Sequence, residues 1–273
     1  MNLIQKNWRQ AVGNEQSQQK IQAQAKHPNN DLVWQTKVHL AAALRLAVRD
    51  QLEEGIDNHF TVMVPGYTDR FMILPFGKHW SEARASDIMI FNEAGEILEG
   101  SAKIELSALC IHAPVHRLTG AKVVLHTHQT WALALNMLKD NRLLPASQTA
   151  SFISNTIAYD DTYTGLAHSM NEGERISAAM GDKKILFMKN HGVMVLGDTV
   201  AEAYKKLYRL ERVCRAQVLA MSTGQELAVL NDNIAAAVNH SNPMNSHTQQ
   251  ERDELYFSAM MRVLDREMPG YAD

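Results

Sequence analysis

The sequence predicts an α/β fold with a partly antiparallel sheet, and three observations predict it. Segments with helical and strand-like patterns follow one another in mixed order along the 273 residues. Pairs of short apolar runs around turn residues, such as Pro65-Gly66, predict hairpins and therefore antiparallel pairing. The composition, 45% hydrophobic and 21% charged, is ordinary for a globular chain with a sizeable core.

The first half of the sequence predicts three helices and two hairpins. Residues 1–30 are polar and predict an N-terminal arm. From Asp31 apolar residues recur at helical spacing, and Gly55 is the expected stop. The elements expected next are strands at 60–64 and 70–74, a short helix at 81–87, strands at 88–91 and 96–98, and a helix at 105–118. That helix should bend at Pro114, because an interior proline removes one backbone hydrogen bond and clashes with the preceding turn.

The second half predicts further strands and two long helices. The expected order is a strand at 122–128, a helix at 131–138, an irregular connection at 143–155, a helix at 171–180, and strands at 185–188 and 193–196. Thr199 and Glu202 form a capping box that opens a helix to about Met221. Residues 224–245 predict a polar connection, and 251–267 predict an amphipathic helix with Leu255 and Leu264 on its inner face. The resulting division is an arm (1–30), a domain (31–223) and a C-terminal connection and helix (224–273).

Composition argues against several functional classes. The net charge of −3 gives no basis for a nucleic-acid or membrane partner. The two cysteines, Cys110 and Cys214, fit a reducing compartment without a disulfide framework. No apolar stretch approaches the roughly 18 residues that a membrane span requires, and the Gln-rich start lacks the apolar core of a targeting signal. We therefore expect a soluble cytoplasmic protein.

The strand at 122–128 carries the strongest chemical signal, His126-Thr127-His128. Side chains alternate between the faces of a strand, so both imidazoles project to the same side. A third histidine, His191, lies between two apolar runs and therefore near a strand end. Three imidazoles leave a divalent metal with open coordination positions, as in a catalytic rather than a structural site. The alternative is a pair of partly exposed histidines at a strand end.

Three other groups have two interpretations each. His112 and His116, one helical turn apart, form a competing metal pair, although the distortion at Pro114 favours a core or supporting role. Thr127 and Asn190 could orient the metal-binding rings through hydrogen bonds. The alternative for Asn190 is a turn residue before Gly192. A polar cluster could supply a catalytic acid or be an exposed turn; its members are Tyr159, Asp160, Asp161 and Tyr163.

The order of these motifs resembles that of the class II aldolase and adducin family over residues 32–223. The resemblance rests on His126-Thr127-His128, Asn190-His191-Gly192 and Glu211-Arg212-Val213-Cys214-Arg215-Ala216-Gln217. It implies a three-layer α/β/α fold with a largely antiparallel central sheet. It also implies one divalent metal ion per subunit (Zn, Mn or Fe) held by His126, His128 and His191, and a homotetramer with each site near a subunit boundary.

Two departures from the aldolases of that family shape the functional prediction. Their catalytic glutamate corresponds here to Ala108 or Ser107, and the nearest acid is Glu105. Where they bind substrate phosphate with a serine, this sequence has Phe76, whose ring offers no hydrogen bond. Both departures count against a sugar-phosphate aldolase.

We therefore expect a metal-dependent carbon–carbon lyase for a small non-phosphorylated acid, a decarboxylase or aldolase, with Glu105 as the candidate acid/base. The simpler interpretation of Glu105 is an exposed glutamate at a helix start. The alternative functions are a non-haem iron oxygenase on the same fold and an adducin-like non-catalytic binding protein.

Overall fold

The central element of the computed structural model is one eight-stranded sheet in the order β4-β3-β2-β1-β5-β8-β7-β6. The strands are β1 His59–Met63, β2 Arg70–Ile73, β3 Met89–Asn92, β4 Ile97–Glu99, β5 Val123–Thr127, β6 Ile157–Asp160, β7 Ile185–Met188 and β8 Gly192–Gly197. Every neighbouring pair is antiparallel except β6 with β7. The predicted α/β fold with a largely antiparallel sheet is confirmed.

The structure describes residues 30–163, 165, 170–231, 233–235, 237 and 247–273. The predicted arm therefore lies, apart from Asn30, outside the described residues, as does much of the connection predicted at 224–245. Within the described part of the chain, no helix is both long and apolar enough to cross a membrane.

Helices cover both faces of the sheet. They are α1 Asn30–Arg49, α2 Leu106–Thr119, α3 Thr130–Asn136, α4 Gln148–Ile153, α5 Met170–Met180, α6 Val200–Met221 and α7 Gln249–Glu267. Alternation along β5 shows the layering: Val123 and Leu125 enter the core formed with α1 and α6, and Val124 enters the core formed with α2 and α5. A sheet buried on both faces explains why its central strands are continuous apolar runs.

The C-terminal segment is attached to the same domain. The Lys205 ammonium on α6 forms a buried ion pair with Asp253 on α7, at 2.6 Å. The Arg45 guanidinium on α1 donates to the carbonyl oxygens of Ala83 at 2.8 Å and Met268 at 3.1 Å. Because both cations are buried, their hydrogen bonds to oxygen are needed to offset the cost of desolvation. The same bonds hold α7 and the residue after it against α1 and α6.

Several helices and strands differ in extent from those predicted. The first helix ends at Arg49, before Gly55, because Gln51 adopts a left-handed conformation with φ of 58°. The segment 143–155 is irregular only as far as Ser147, whose hydroxyl accepts the Ala150 N–H and caps α4. Strand β6 was not predicted, because it is only four residues long. It directly follows a helical turn and is followed by polar residues.

Two predictions about side chains at the last long helices also need correction. On α7, Leu264 is buried as predicted, whereas Leu255 is 56% exposed and the other buried positions are Asp253 and Phe257. At the start of α6 the Thr199 hydroxyl accepts the Glu202 N–H as predicted. The Glu202 carboxylate, however, accepts the N–H of Asp198 at 2.7 Å rather than that of Thr199.

Candidate metal centre and active site

Three imidazoles meet at one end of the central strands. His126 is on β5, His128 follows its last residue, and His191 lies in the turn between β7 and β8. One ring nitrogen from each histidine lies within 4.8 Å of the others. The sequence prediction that His126, His128 and His191 converge is therefore matched by the geometry.

The turn that carries His191 depends on its two neighbours. Asn190 has a φ of 57°, a conformation that asparagine tolerates better than most residues, so the turn interpretation of Asn190 holds. A Cβ atom on Gly192 would lie 2.6 Å from the Thr127 carbonyl oxygen and 2.7 Å from His128 Cδ2. Only glycine therefore allows β8 to approach β5 this closely.

Hydrogen bonds fix which nitrogen of two rings faces inward. His126 Nδ1 donates to the Val193 carbonyl oxygen at 3.0 Å, and His128 Nδ1 donates to the Glu54 carboxylate. When both rings are neutral, each carries its one N–H on Nδ1, and the two Nε2 atoms, 3.1 Å apart, then present lone pairs to one another. Two lone pairs at that distance repel unless a cation lies between them. Two imidazole nitrogens on a tetrahedral zinc ion are about 3.3 Å apart, so the donor set fits a divalent metal.

Burial keeps the cluster in the form that binds a metal. Desolvation, assisted by the neighbouring imidazoles, holds the pKa of His126 well below its usual value. The same causes lower the pKa of His191 to about 4. A neutral imidazole is the ligand form, so no proton has to be displaced from these two rings at neutral pH.

Glu105 lies next to this cluster in a pair with His59. Its Oε2 accepts a hydrogen bond from His59 Nε2 at 2.6 Å, and its Oε1 accepts one from the Ser107 hydroxyl at 2.7 Å. The bond from His59 lowers the pKa of Glu105, although burial opposes it. The His59 ring stacks on the His126 ring with centroids 6.3 Å apart. Glu105 does stand at the start of α2, in the N-cap position, but it is only partly exposed and is paired with His59.

The competing pair, His112 and His116, is engaged in a buried network instead. The His116 Nδ1–H donates to the Ala121 carbonyl oxygen at 2.7 Å, so its Nε2 accepts the Thr61 hydroxyl proton at 2.8 Å. The Thr61 oxygen then accepts the His112 Nδ1–H at 2.7 Å. Burial lowers the pKa of His116 to about 4 and that of His112 well below its usual value. These two residues support the sheet beneath His59, and they do not join the metal cluster.

A small pocket opens beside the pair, and its wall includes the segment that the sequence singled out. Phe76, Asn58, His59 and Glu105 are among its lining residues. The one cation in that lining is Lys78, and its ammonium is paired with Asp87 at 2.7 Å. Besides the Glu105 carboxylate, the wall therefore offers apolar, aromatic and neutral polar groups, and its one ammonium is already paired.

The remaining candidates have other roles. The Thr127 hydroxyl donates to Gln129 at 3.1 Å and orients no metal-binding ring. Asp160 is buried and paired with Arg175 at 2.6 Å, so it is structural. The Tyr163 ring approaches the site, with its centroid 6.4 Å from that of His191.

Two residues near the centre, Glu54 and His59, were missed from the sequence. Neither has a local signal, because each reaches the centre through tertiary structure. Strand pairing places His59 opposite His126, and the loop before β1 brings Glu54 to His128. An Asp or Glu close to a metal-binding histidine is common in such sites, but its position in the chain cannot be read from spacing.

Comparison with known proteins agrees with this geometry. A family model described as the Class II Aldolase and Adducin N-terminal domain matches residues 38–218. The "Putative aldolase class 2 protein" of Caulobacter vibrioides is 33% identical over 242 residues, which cover 88% of this chain and 93% of that protein. Gamma-adducin of Homo sapiens is 27% identical over 246 residues, covering 84% of this chain and 34% of that protein.

Solved structures show the same fold. A crystal structure of an aldolase II superfamily protein from Pseudomonas syringae superposes with a TM-score of 0.81 at 31% identity, covering 92% of this chain and 99% of that one. The L-fuculose 1-phosphate aldolase from Glaciozyma antarctica PI12 superposes with a TM-score of 0.74 at 22% identity, covering 86% of this chain and 92% of that one. The two helical layers around an antiparallel sheet thus define a class II aldolase-type domain. The chain belongs to the class II aldolase and adducin family.

Proposed function

We propose that this protein is a metal-dependent carbon–carbon lyase for a small non-phosphorylated acid, acting by decarboxylation or aldol cleavage. The observation that carries the proposal is the convergence of three imidazoles: His126 Nε2 and His128 Nε2 are 3.1 Å apart, and His191 lies beside them. This donor set suits Zn, Mn or Fe in the divalent state. Bound there, the metal supplies a Lewis acid for a substrate oxygen next to the breaking bond.

The Glu105–His59 pair is the proposed proton-handling group. The lowered pKa of Glu105 keeps its carboxylate ionised at neutral pH, so the shared proton resides on His59 Nε2. The His59 Nε2–H donates to Glu105 and orients its carboxylate, which lines the adjoining pocket and there accepts a proton from the substrate or returns it. In this proposal Glu105 supplies the negative charge that Ala108 and Ser107 lack.

The pocket supports the choice of a non-phosphorylated substrate. Phe76 is 51% exposed at its wall, where it offers apolar surface and no donor. A phosphate dianion needs several donors or a free cation, and the Lys78 ammonium is occupied by Asp87. A carboxylate carries only one charge and therefore needs fewer donors. The polar side chains of Asn58 and His59 line the same pocket.

The first experiment is elemental analysis of protein purified without added metal. We expect about one equivalent of Zn, Mn or Fe per chain, lost in His126→Ala and His191→Ala. His247→Ala is the matched control, because His247 is exposed at the start of α7. Iron together with substrate-dependent oxygen uptake would favour the oxygenase. Absence of metal, and no uptake of added Zn or Mn, would favour an adducin-like binding protein and refute the lyase.

The second experiment identifies the reaction. A panel of small hydroxy and keto acids is incubated with the metal-loaded protein, and carbon dioxide or aldehyde release is followed by ¹³C NMR. The proposal expects turnover of at least one acid that is abolished in His126→Ala. If the metal-loaded protein cleaves only phosphorylated sugars, the substrate assignment is wrong.

A further inference from the structure

A second polar groove lies between the start of α3 and the outer face of α6. Its wall includes Thr130 and Trp131 from α3, Tyr208, Arg212 and Arg215 from α6, and Leu52. It shares no lining residue with the pocket beside Glu105. No step proposed above uses it.

The two arginines are the distinctive feature of the groove. Arg212 and Arg215 are three residues apart on one helix, so their side chains are neighbours on its exposed face. In the described ranges, neither guanidinium lies within salt-bridge distance of a carboxylate, and neither donates a side-chain hydrogen bond. Each guanidinium instead lies beside an aromatic ring: Arg215 is 5.5 Å from the Trp131 ring centroid and Arg212 is 5.9 Å from that of Tyr208. A ring beside each guanidinium restricts its orientation and leaves its N–H groups available.

The acidic groups of the groove are already occupied. Glu211 accepts the backbone N–H groups of Trp131 at 2.8 Å and Ala132 at 3.0 Å, one with each carboxylate oxygen. Asp50 accepts a bond from Arg49 at 2.8 Å and one from the Tyr204 hydroxyl at 2.5 Å. Both carboxylates lower the local positive potential. Burial raises the pKa of Glu211 and Arg215 is close enough to oppose that rise, but neither carboxylate forms an ion pair with the two arginines.

We infer that this groove binds a small multivalent anion, a dicarboxylate or a phosphate compound, through Arg212 and Arg215. Two adjacent guanidiniums match two or more anionic oxygens, because each presents its donors in a planar fork. The exposed Thr130 hydroxyl lies in the same wall and adds one further donor. The site is independent of the metal centre, so it holds whether or not the lyase proposal does.

Calorimetric titration of the full-length protein as purified tests the site. The probes are inorganic phosphate and succinate, with succinamide as the uncharged match for succinate. Arg212→Gln and Arg215→Gln should each weaken binding of at least one anion about tenfold, the loss expected for one charge-assisted fork. Arg209→Gln is the control: Arg209 is on the same helix but is not part of the groove lining. Succinamide should not bind.

A second measurement locates the ligand. Anion binding should change the intrinsic fluorescence, and Trp131→Phe should remove that change while leaving affinity within a few fold. Lysine replacements at the two arginines keep the charge and lose the fork, so they should lie between the wild type and the glutamine variants.

Several results would overturn the inference. They are no binding of either anion at millimolar concentrations, an equal loss in Arg209→Gln, or full affinity in both glutamine variants. A change in mass by light scattering for Arg215→Glu, without anion binding by the wild type, would instead identify the groove as a contact between copies of the chain.

Discussion

Replacing Glu54 with glutamine should weaken metal binding at the histidine centre. The Glu54 carboxylate accepts the Nδ1–H of His128, and this bond directs the His128 Nε2 lone pair toward His126. Losing the carboxylate removes the charge that makes the ring a stronger donor and fixes its tautomer. Changes of this kind usually cost about 10- to 100-fold in metal affinity.

The structure places the expected loss at the lower end of that range. The Glu54 side chain is 61% exposed, so solvent screens its charge, and glutamine retains an oxygen that can still accept the Nδ1–H. We therefore expect about a tenfold weaker zinc affinity, or about 1.4 kcal/mol. His126 keeps its bond to Val193, so binding should be weakened and not abolished.

Competition against a chromophoric chelator measures this affinity directly. The matched control is Asp57→Asn, which removes one charge from an exposed side chain in the same loop. Affinity within twofold of the wild type in Glu54→Gln would refute the reasoning. So would an equal loss in Asp57→Asn, because the effect would then come from net charge alone.

Four further predictions concern catalysis, pH, substrate and assembly. Glu105→Gln should lower turnover about 10²- to 10⁴-fold with metal content unchanged; full activity, once a substrate is known, would exclude the proton-handling role. Because the folded pKa of His116 is about 4 and the unfolded value is about 6.5, the unfolded chain binds more protons between these values. The free energy of unfolding should therefore fall by about 1.4 kcal/mol per pH unit from this residue as pH drops from 6.5 toward 4, and a flat urea-denaturation profile would contradict it. In the Arg215→Gln background, sugar phosphates should give no binding heat in the pocket of Phe76, and micromolar affinity would overturn that expectation. Light scattering at low concentration should give a tetramer mass, whereas a monomer would remove a site shared between subunits.

The fold and the three-histidine cluster were predictable because their signals are local. Apolar runs and strand alternation place His126 and His128 on one face, and strand ends bring His191 near them. Element types were also readable, except where a short strand such as β6 lacked a run long enough to distinguish it from a turn.

The surroundings of the cluster were not predictable, because they depend on which strands pair. The His59 ring reaches His126 through the β1–β5 register, and the Thr61 hydroxyl reaches His112 through packing of α2 on the sheet. Spacing suggested that His112 and His116 form a second metal pair, yet tertiary hydrogen bonds engage both ring nitrogens of His116 and Nδ1 of His112. Glu105 was identified only as the nearest acid, and its partner His59 came from the structure.

The central position of β5 has a consequence for how the protein folds. Its neighbours are β1 and β8, which precede and follow it by long stretches of chain, and His126 and His191 become neighbours only after β5 and β8 have paired. The centre is therefore assembled from non-local contacts, which form slowly because loop closure precedes them. A metal that binds only the assembled state raises the unfolding free energy by about 2.7 kcal/mol at a hundred times its dissociation constant. If the centre holds a metal as proposed, metal supply would therefore raise the folded fraction of the newly made chain.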